Sequence, residues 1–156
     1  MIKPEREKFI TDAVKAYSDT VFRVAFQYTG SRYDAEDIVQ EVFLKLLKKL
    51  PPLAGDGLKA WLIRVTINAC KDHLRSRRRR ALLVREPFAE QHESYGEVFE
   101  ALSALPERDR TALYLHYYEG YTAREIAGMT GERERAVTKR IGRAREKMKK
   151  YLSEEV

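Results

Sequence analysis

Apolar residues recur at every third or fourth position along most of the chain, and few helix breakers interrupt them. Only 8 glycines and 5 prolines occur in 156 residues, so long stretches are free to be helical. Residues 5–29 carry Phe9, Ile10, Ala13, Val14, Tyr17, Val21, Val24, Ala25 and Tyr28 at helical spacing. Gly30 is placed to end that helix and Ser31 to cap the next, over 32–49, whose stripe is Ile38, Val39, Val42, Phe43, Leu46, Leu47 and Leu50. Pro51-Pro52 stops it. A third helix is expected over 57–77, with Leu58, Trp61, Leu62, Val65, Ile67, Ala69 and Leu74 as its apolar contacts.

Further helices are expected over 96–104, from Glu107 to Glu119-Gly120, over Ala123–Met129 and over 133–151. Thr122 with Glu125 three residues on spells a capping box, and Gly131 marks a turn. The expectation is an all-α chain of two small helical domains, 1–77 and 95–156, joined by a linker at 78–94. For 77–83 alone, an exposed extension of the third helix is an equal reading.

The net charge is +6, which favours a polyanionic partner. Its placement says more: 16 of the 30 Lys and Arg lie in segments 69–85 and 133–150, where Asp72, Glu134 and Glu146 are the only acids. A single cysteine, Cys70, leaves neither an internal disulfide nor a multi-cysteine metal site. No run approaches the roughly 18 apolar residues of a membrane span, and MIKPEREKF is too polar for a signal peptide. A cytoplasmic protein with no metal, cofactor or membrane insertion is expected.

A capped short helix, a glycine turn and a basic amphipathic helix together make a helix-turn-helix pattern. Ala127 is small where two helices must cross, and Val137, Ile141, Ala144, Met148 and Leu152 point inward. Arg135, Thr138, Lys139, Arg140, Arg143 and Arg145 are the candidates for contact with duplex bases or phosphates. The bland reading is a solvated basic face on an ordinary helical hairpin. The agreement of turn, cap, small residue and charge favours DNA.

In the first domain, Asp37, Gln40, Glu41 and Leu44 follow an i, i+3, i+4, i+7 pattern and form a stripe distinct from the core stripe. An acidic stripe on a basic chain suits a positively charged protein. For Asp34 and Glu36, near the helix start, a match to the helix dipole suffices. The third helix aligns Trp61, Arg64, Asn68, Lys71, Asp72 and Arg75, followed by Arg77, Arg78, Arg79 and Arg80. Cations there would follow a phosphate backbone, while an aromatic ring and an amide can meet unpaired bases. A lone tryptophan is more often a core residue, so Trp61 also carries that reading.

The motifs D-I-V-Q-E (37–41), W-L-I-R-V-T-I-N-A-C-K-D-H-L-R (61–75), L-P-E-R-D-R (105–110), E-I-A (125–127) and R-I-G-R-A-R (140–145) occur in this order. Together they resemble conserved regions 2 and 4 of extracytoplasmic-function sigma factors, over about residues 10–150. The resemblance implies that Asp37, Gln40, Glu41 and Leu44 meet the β′ clamp helices of core RNA polymerase. It also implies that the 51–60 loop, Trp61 and Asn68 hold the non-template strand of the −10 element. Lys71, Arg75 and the arginine run would track upstream phosphates, and the helix from Arg133 would read the −35 element. Leu113 and Tyr117 would help seat the second domain on the β flap, and an anti-sigma factor is an implied partner. The chain departs from the pattern at Arg135-Ala136-Val137-Thr138-Lys139-Arg140, where the family often has Gly-Thr-Val, and at Gly142, often bulky. Glu132 and Glu134 bring acids near the expected DNA face.

Two other classes compete. One is a stand-alone helix-turn-helix regulator, against which the basic third helix has no role. The other is a magnesium-dependent nuclease using Asp34, Asp37 and Glu41, for which His73, His92 and His116 are too scattered to supply a base.

Overall fold

The structure, a computed structural model, describes residues 3–83 and 96–154; most of the expected linker, 84–94, lies outside the described residues. Seven helices and no strand occur among the described residues. Helix α1 (Lys3–Thr29), α2 (Arg32–Lys49) and α3 (Gly55–Leu83) pack pairwise into the first domain. Gly30, at φ 68°, turns the chain out of α1, and Ser31 Oγ accepts from the Asp34 amide at 3.2 Å to start α2. Leu50 ends α2 in the left-handed region, φ 42°, with its N–H on Leu46 O at 2.9 Å. Proline at 51 and 52 forbids further helix.

The core of this domain is Val21, Val24, Ile38, Val42, Leu46, Leu62, Ile63 and Ile67, all fully buried. Helix α3 is buried over a broader face than its apolar pattern suggests. Ile63, Thr66 and Cys70 are enclosed, while Trp61 and Val65 are only partly so. The cause is three-sided packing, since α3 touches α1, α2 and α6. The enclosed Thr66 hydroxyl is satisfied locally by donating to Leu62 O at 2.6 Å.

Helix α3 runs through the arginine run to Leu83, so residues 78–83, counted above with the linker, extend it. Arg77 Nη1 lies 3.2 Å from the Asp34 carboxylate and Arg78 Nη2 3.2 Å from Glu107, which offsets part of the repulsion along the run.

The second domain comprises α4 (Glu97–Ser103), α5 (Glu107–Tyr117), α6 (Ala123–Thr130) and α7 (Glu134–Glu154). The capping box is complete: Thr122 Oγ1 accepts from the Glu125 amide and Glu125 accepts from the Thr122 amide, each at 3.1 Å. Gly131, at φ 78°, closes α6 with its N–H on Ala127 O. Helix α5 ends at Tyr117, a little short of the expected Glu119-Gly120 end. The domains are not beads on a string, because α5 packs on α1, α6 packs on α3, and the buried apolar residues of both halves form one cluster.

Candidate functional site

Helix α2 separates two tasks by face. Ile38, Val42 and Leu46 point into the core, while Asp37, Gln40, Glu41 and Leu44 are all exposed on the opposite stripe. Leu44 is 57% exposed, an apolar side chain on an otherwise polar stripe. Glu41 is partly tied to Lys45 at 3.4 Å, a pair too exposed to contribute more than about 1 kcal/mol. The Asp34 carboxylate faces α3 instead, 3.2 Å from Arg77 and 3.4 Å from His73 Nε2. That nitrogen is buried, and its contact with Asp34 lacks hydrogen-bond geometry. Asp34 is thus a tie between α2 and α3, and it does not join Asp37 and Glu41 in a shared carboxylate cluster.

Where α2 and α3 cross, a groove of about 380 Å³ opens between Lys45 and Lys49 on one side and Trp61, Arg64, Val65 and Asn68 on the other. It unites three of the expected strand-binding residues with two lysines that sequence reasoning missed. Lys45 and Lys49 sit i, i+4 on α2, a spacing that does put two cations on one face. Trp61 is both a partner of the core and a wall of this groove, so its two readings are not exclusive. Three cations, a ring and an exposed amide around one opening can hold a phosphate chain and contact bases.

Farther along α3 the expected phosphate track divides. Arg79 and Arg80 are exposed, and Arg75 is exposed with Asp72 at 3.5 Å. Arg77 is turned to Asp34, and Lys71 donates to Thr130 O of α6 at 2.7 Å. Burial beneath α6 lowers the Lys71 pKa, with Arg108 and Arg75 adding like-charge repulsion against the pull of Glu132.

On α7 the six candidates also divide. Arg135, Thr138 and Lys139 are exposed and share an i, i+3, i+4 stripe that continues to Gly142. Arg140 points the other way: Nη1 reaches Asp109 at 2.7 Å and Nε reaches Glu132 at 2.6 Å. Burial opposes the Arg140 charge, but these bonds outweigh it and raise its pKa above the ordinary arginine value. Arg143 lies 3.4 Å from Asp109, and Arg145 donates to Tyr117 Oη at 2.8 Å. Glu132, unhelpful beside DNA on sequence grounds, is therefore a clasp that orients α7. Leu113 is buried, leaving exposed Tyr117 as the member of that pair a partner protein could touch.

A Cβ added at Gly142 would meet nothing within 4 Å, although glycine inside a helix costs about 1 kcal/mol relative to alanine. Gly142→Ala is expected to raise stability by up to about 1 kcal/mol, read as a higher denaturation midpoint. A lower midpoint would mean that the site is packed after all.

Residues 13–80 match the family described as Sigma-70 region 2, and residues 95–148 match Sigma-70, region 4. The chain is 30% identical to the ECF RNA polymerase sigma factor SigE of Mycolicibacterium smegmatis over 91% of this chain and 61% of that protein. It is 28% identical to the RNA polymerase sigma factor SigV of Bacillus subtilis over 98% of this chain and 96% of that one. It spans a smaller share, 39%, of the probable RNA polymerase sigma factor RfaY of Xanthomonas campestris, at 33% identity. Among solved structures, the fold superposes on the sigma factor RpoE of Bartonella quintana, crystallised with the anti-sigma factor NepR, with a TM-score of 0.82 at 24% identity over 94% of this chain and 98% of that chain. CnrH in complex with the cytosolic domain of CnrY gives a TM-score of 0.70 at 26% identity over 96% and 91% of the two chains. Among the described residues, no helix is long and apolar enough to cross a membrane.

Proposed function

The chain belongs to the extracytoplasmic-function group of the sigma-70 family, and from that premise we infer that it joins core RNA polymerase, recognises −10 and −35 promoter elements and promotes promoter opening. The observation that carries this reading is the groove of Lys45, Lys49, Trp61, Arg64 and Asn68, which offers cations, a ring and an amide to one unpaired strand. Helix α7 reads duplex with Arg135, Thr138 and Lys139, while Arg140 and Arg143 fix its angle on α5. The exposed stripe Asp37, Gln40, Glu41 and Leu44 docks on the polymerase β′ clamp helices. Tyr117 faces the β flap. Arg79 and Arg80 follow upstream phosphates, and the segment around 84–94 bridges the two DNA-binding domains.

The physical logic is a division of labour. Strand capture binds only the open promoter and so shifts the duplex–open equilibrium. Each unstacked step costs about 1–2 kcal/mol, so several strand contacts must act together. Catalysis stays with the polymerase, in the cytoplasm, with an anti-sigma factor as the restraining partner. A stand-alone regulator is not favoured, because both halves match regions of one family.

Run-off transcription with core polymerase on genomic DNA should yield defined start sites that share −10 and −35 sequences; absence of any defined start ends the proposal. On a promoter so mapped, Asn68→Ala is expected to spare duplex binding and slow open-complex formation about fivefold, the size of one lost hydrogen bond. Equal loss in both assays would contradict the assignment of Asn68 to the strand.

A further inference from the structure

Helix α7 carries a bare patch within its exposed stripe. Five of the eight glycines hold positive φ, where a side chain would be strained. Gly142 does not. It stands well inside the 21-residue α7, where glycine weakens a helix relative to alanine. No packing within the described residues requires it, because a Cβ there would meet nothing within 4 Å. The neighbouring arginines are drawn elsewhere: Arg140 and Arg143 to Asp109, and Arg145 to Tyr117 Oη, both on α5.

Thr138, one turn before Gly142, adds a second feature. Its Oγ1 donates to Glu134 O at 3.0 Å, so its proton is committed within the helix although the side chain is exposed. The methyl is then the group that Thr138 has to offer a partner. At i, i+4 spacing, Thr138 and Gly142 are neighbours on one face. They make a small apolar dimple, a methyl beside bare backbone, with Arg135 and Lys139 on the same stripe. In the major groove thymine alone of the four bases presents a methyl group, and threonine methyls are among the groups that meet it. A long side chain at 142 would hold that methyl off.

We propose that Thr138 and Gly142 form a seat for the 5-methyl group of one thymine in the −35 element, with the missing Gly142 side chain setting how closely α7 approaches. The seat rests on the reading of α7 as the duplex-reading helix. Arg135 and Lys139 attract phosphates, and that attraction is blind to sequence. The seat adds discrimination between bases, against which the weaker helix at Gly142 is set.

The test uses the full chain assembled with core polymerase, on a promoter whose start site has been mapped. Closed-complex affinity is read in the cold, before the strands open. Each thymine of the −35 element, on either strand, is replaced in turn by deoxyuridine, which removes only the methyl. One replacement should weaken binding about fourfold, the worth of one buried methyl-sized group. Its salt dependence should stay the same, since no phosphate contact is lost. Gly142→Leu should weaken binding to the thymine promoter about tenfold and abolish the difference between thymine and uracil, with a denaturation midpoint no lower than the parent's. Thr138→Ser keeps the hydroxyl without the methyl and should shrink that difference below about twofold. If no exchange of thymine for uracil weakens binding, or if Gly142→Leu keeps the full difference, the seat is overturned while α7 remains the duplex reader. Lys139→Ala tests that reading separately. If it changes neither affinity nor salt slope, α7 does not face the duplex and the seat falls with it.

Discussion

Asp109→Ala is expected to lower stability by about 3 kcal/mol, enough to loosen the whole second domain. Asp109 is 1% exposed, and its carboxylate receives Arg140 at 2.7 Å and Arg143 at 3.4 Å. Removing one partner of a buried pair leaves the other desolvated without compensation, which costs about 3–5 kcal/mol. The lower end applies here. Arg140 keeps Glu132, and the Arg143 side chain is 55% exposed and screened by water. Arg145→Ala is the matched control: it removes an exposed bond to Tyr117 Oη and should cost well under 1 kcal/mol. Urea denaturation of the full chain measures both. A loss below about 1 kcal/mol for Asp109→Ala would mean that the cluster is not a structural clasp. The same geometry warns against reading Arg140→Ala as a loss of base contact, since it strands a buried carboxylate. Lys139→Ala is the cleaner probe of duplex contact, with an expected decrease of about one in the salt-dependence slope.

What the sequence made legible was local chemistry. Ser31 and the Thr122–Glu125 box act within three residues of themselves, so helix starts followed directly from side-chain identity. The outward stripe on α2 was legible because a helix keeps its faces apart whatever packs on it. The depth of α3 was not, since one apolar stripe does not reveal that three helices surround it and enclose Thr66 and Cys70. The groove was missed for a related reason. Lys45 and Lys49 look like the solvated tail of α2 until α3 crosses them. The charge of Arg140 points to DNA, while the buried one of its two partners lies 31 residues away. That partner is Asp109 inside L-P-E-R-D-R, the one charged residue that α5 buries.

Leu44→Arg is expected to weaken binding to core polymerase at least about 100-fold while leaving the denaturation midpoint unchanged. The side chain is 57% exposed and lies opposite the Ile38, Val42 and Leu46 face, so the fold loses nothing when it becomes polar. At a docked interface its position is central. Gln40 and Glu41 lie one turn before it and Leu47, 37% exposed, lies nearly one turn after it. An apolar centre with a polar rim is the arrangement in which a few residues carry most of the binding energy. Burying an uncompensated guanidinium there costs about 3 kcal/mol or more, which is at least 100-fold in affinity. A positively charged partner, the kind an acidic stripe selects, adds like-charge repulsion to that cost. Gln40→Ala with Glu41→Ala removes attraction without adding repulsion, and about tenfold is expected. Affinity measured by anisotropy of the labelled factor with core enzyme checks both variants. If Leu44→Arg binds core polymerase as the parent chain does, α2 is not the docking helix.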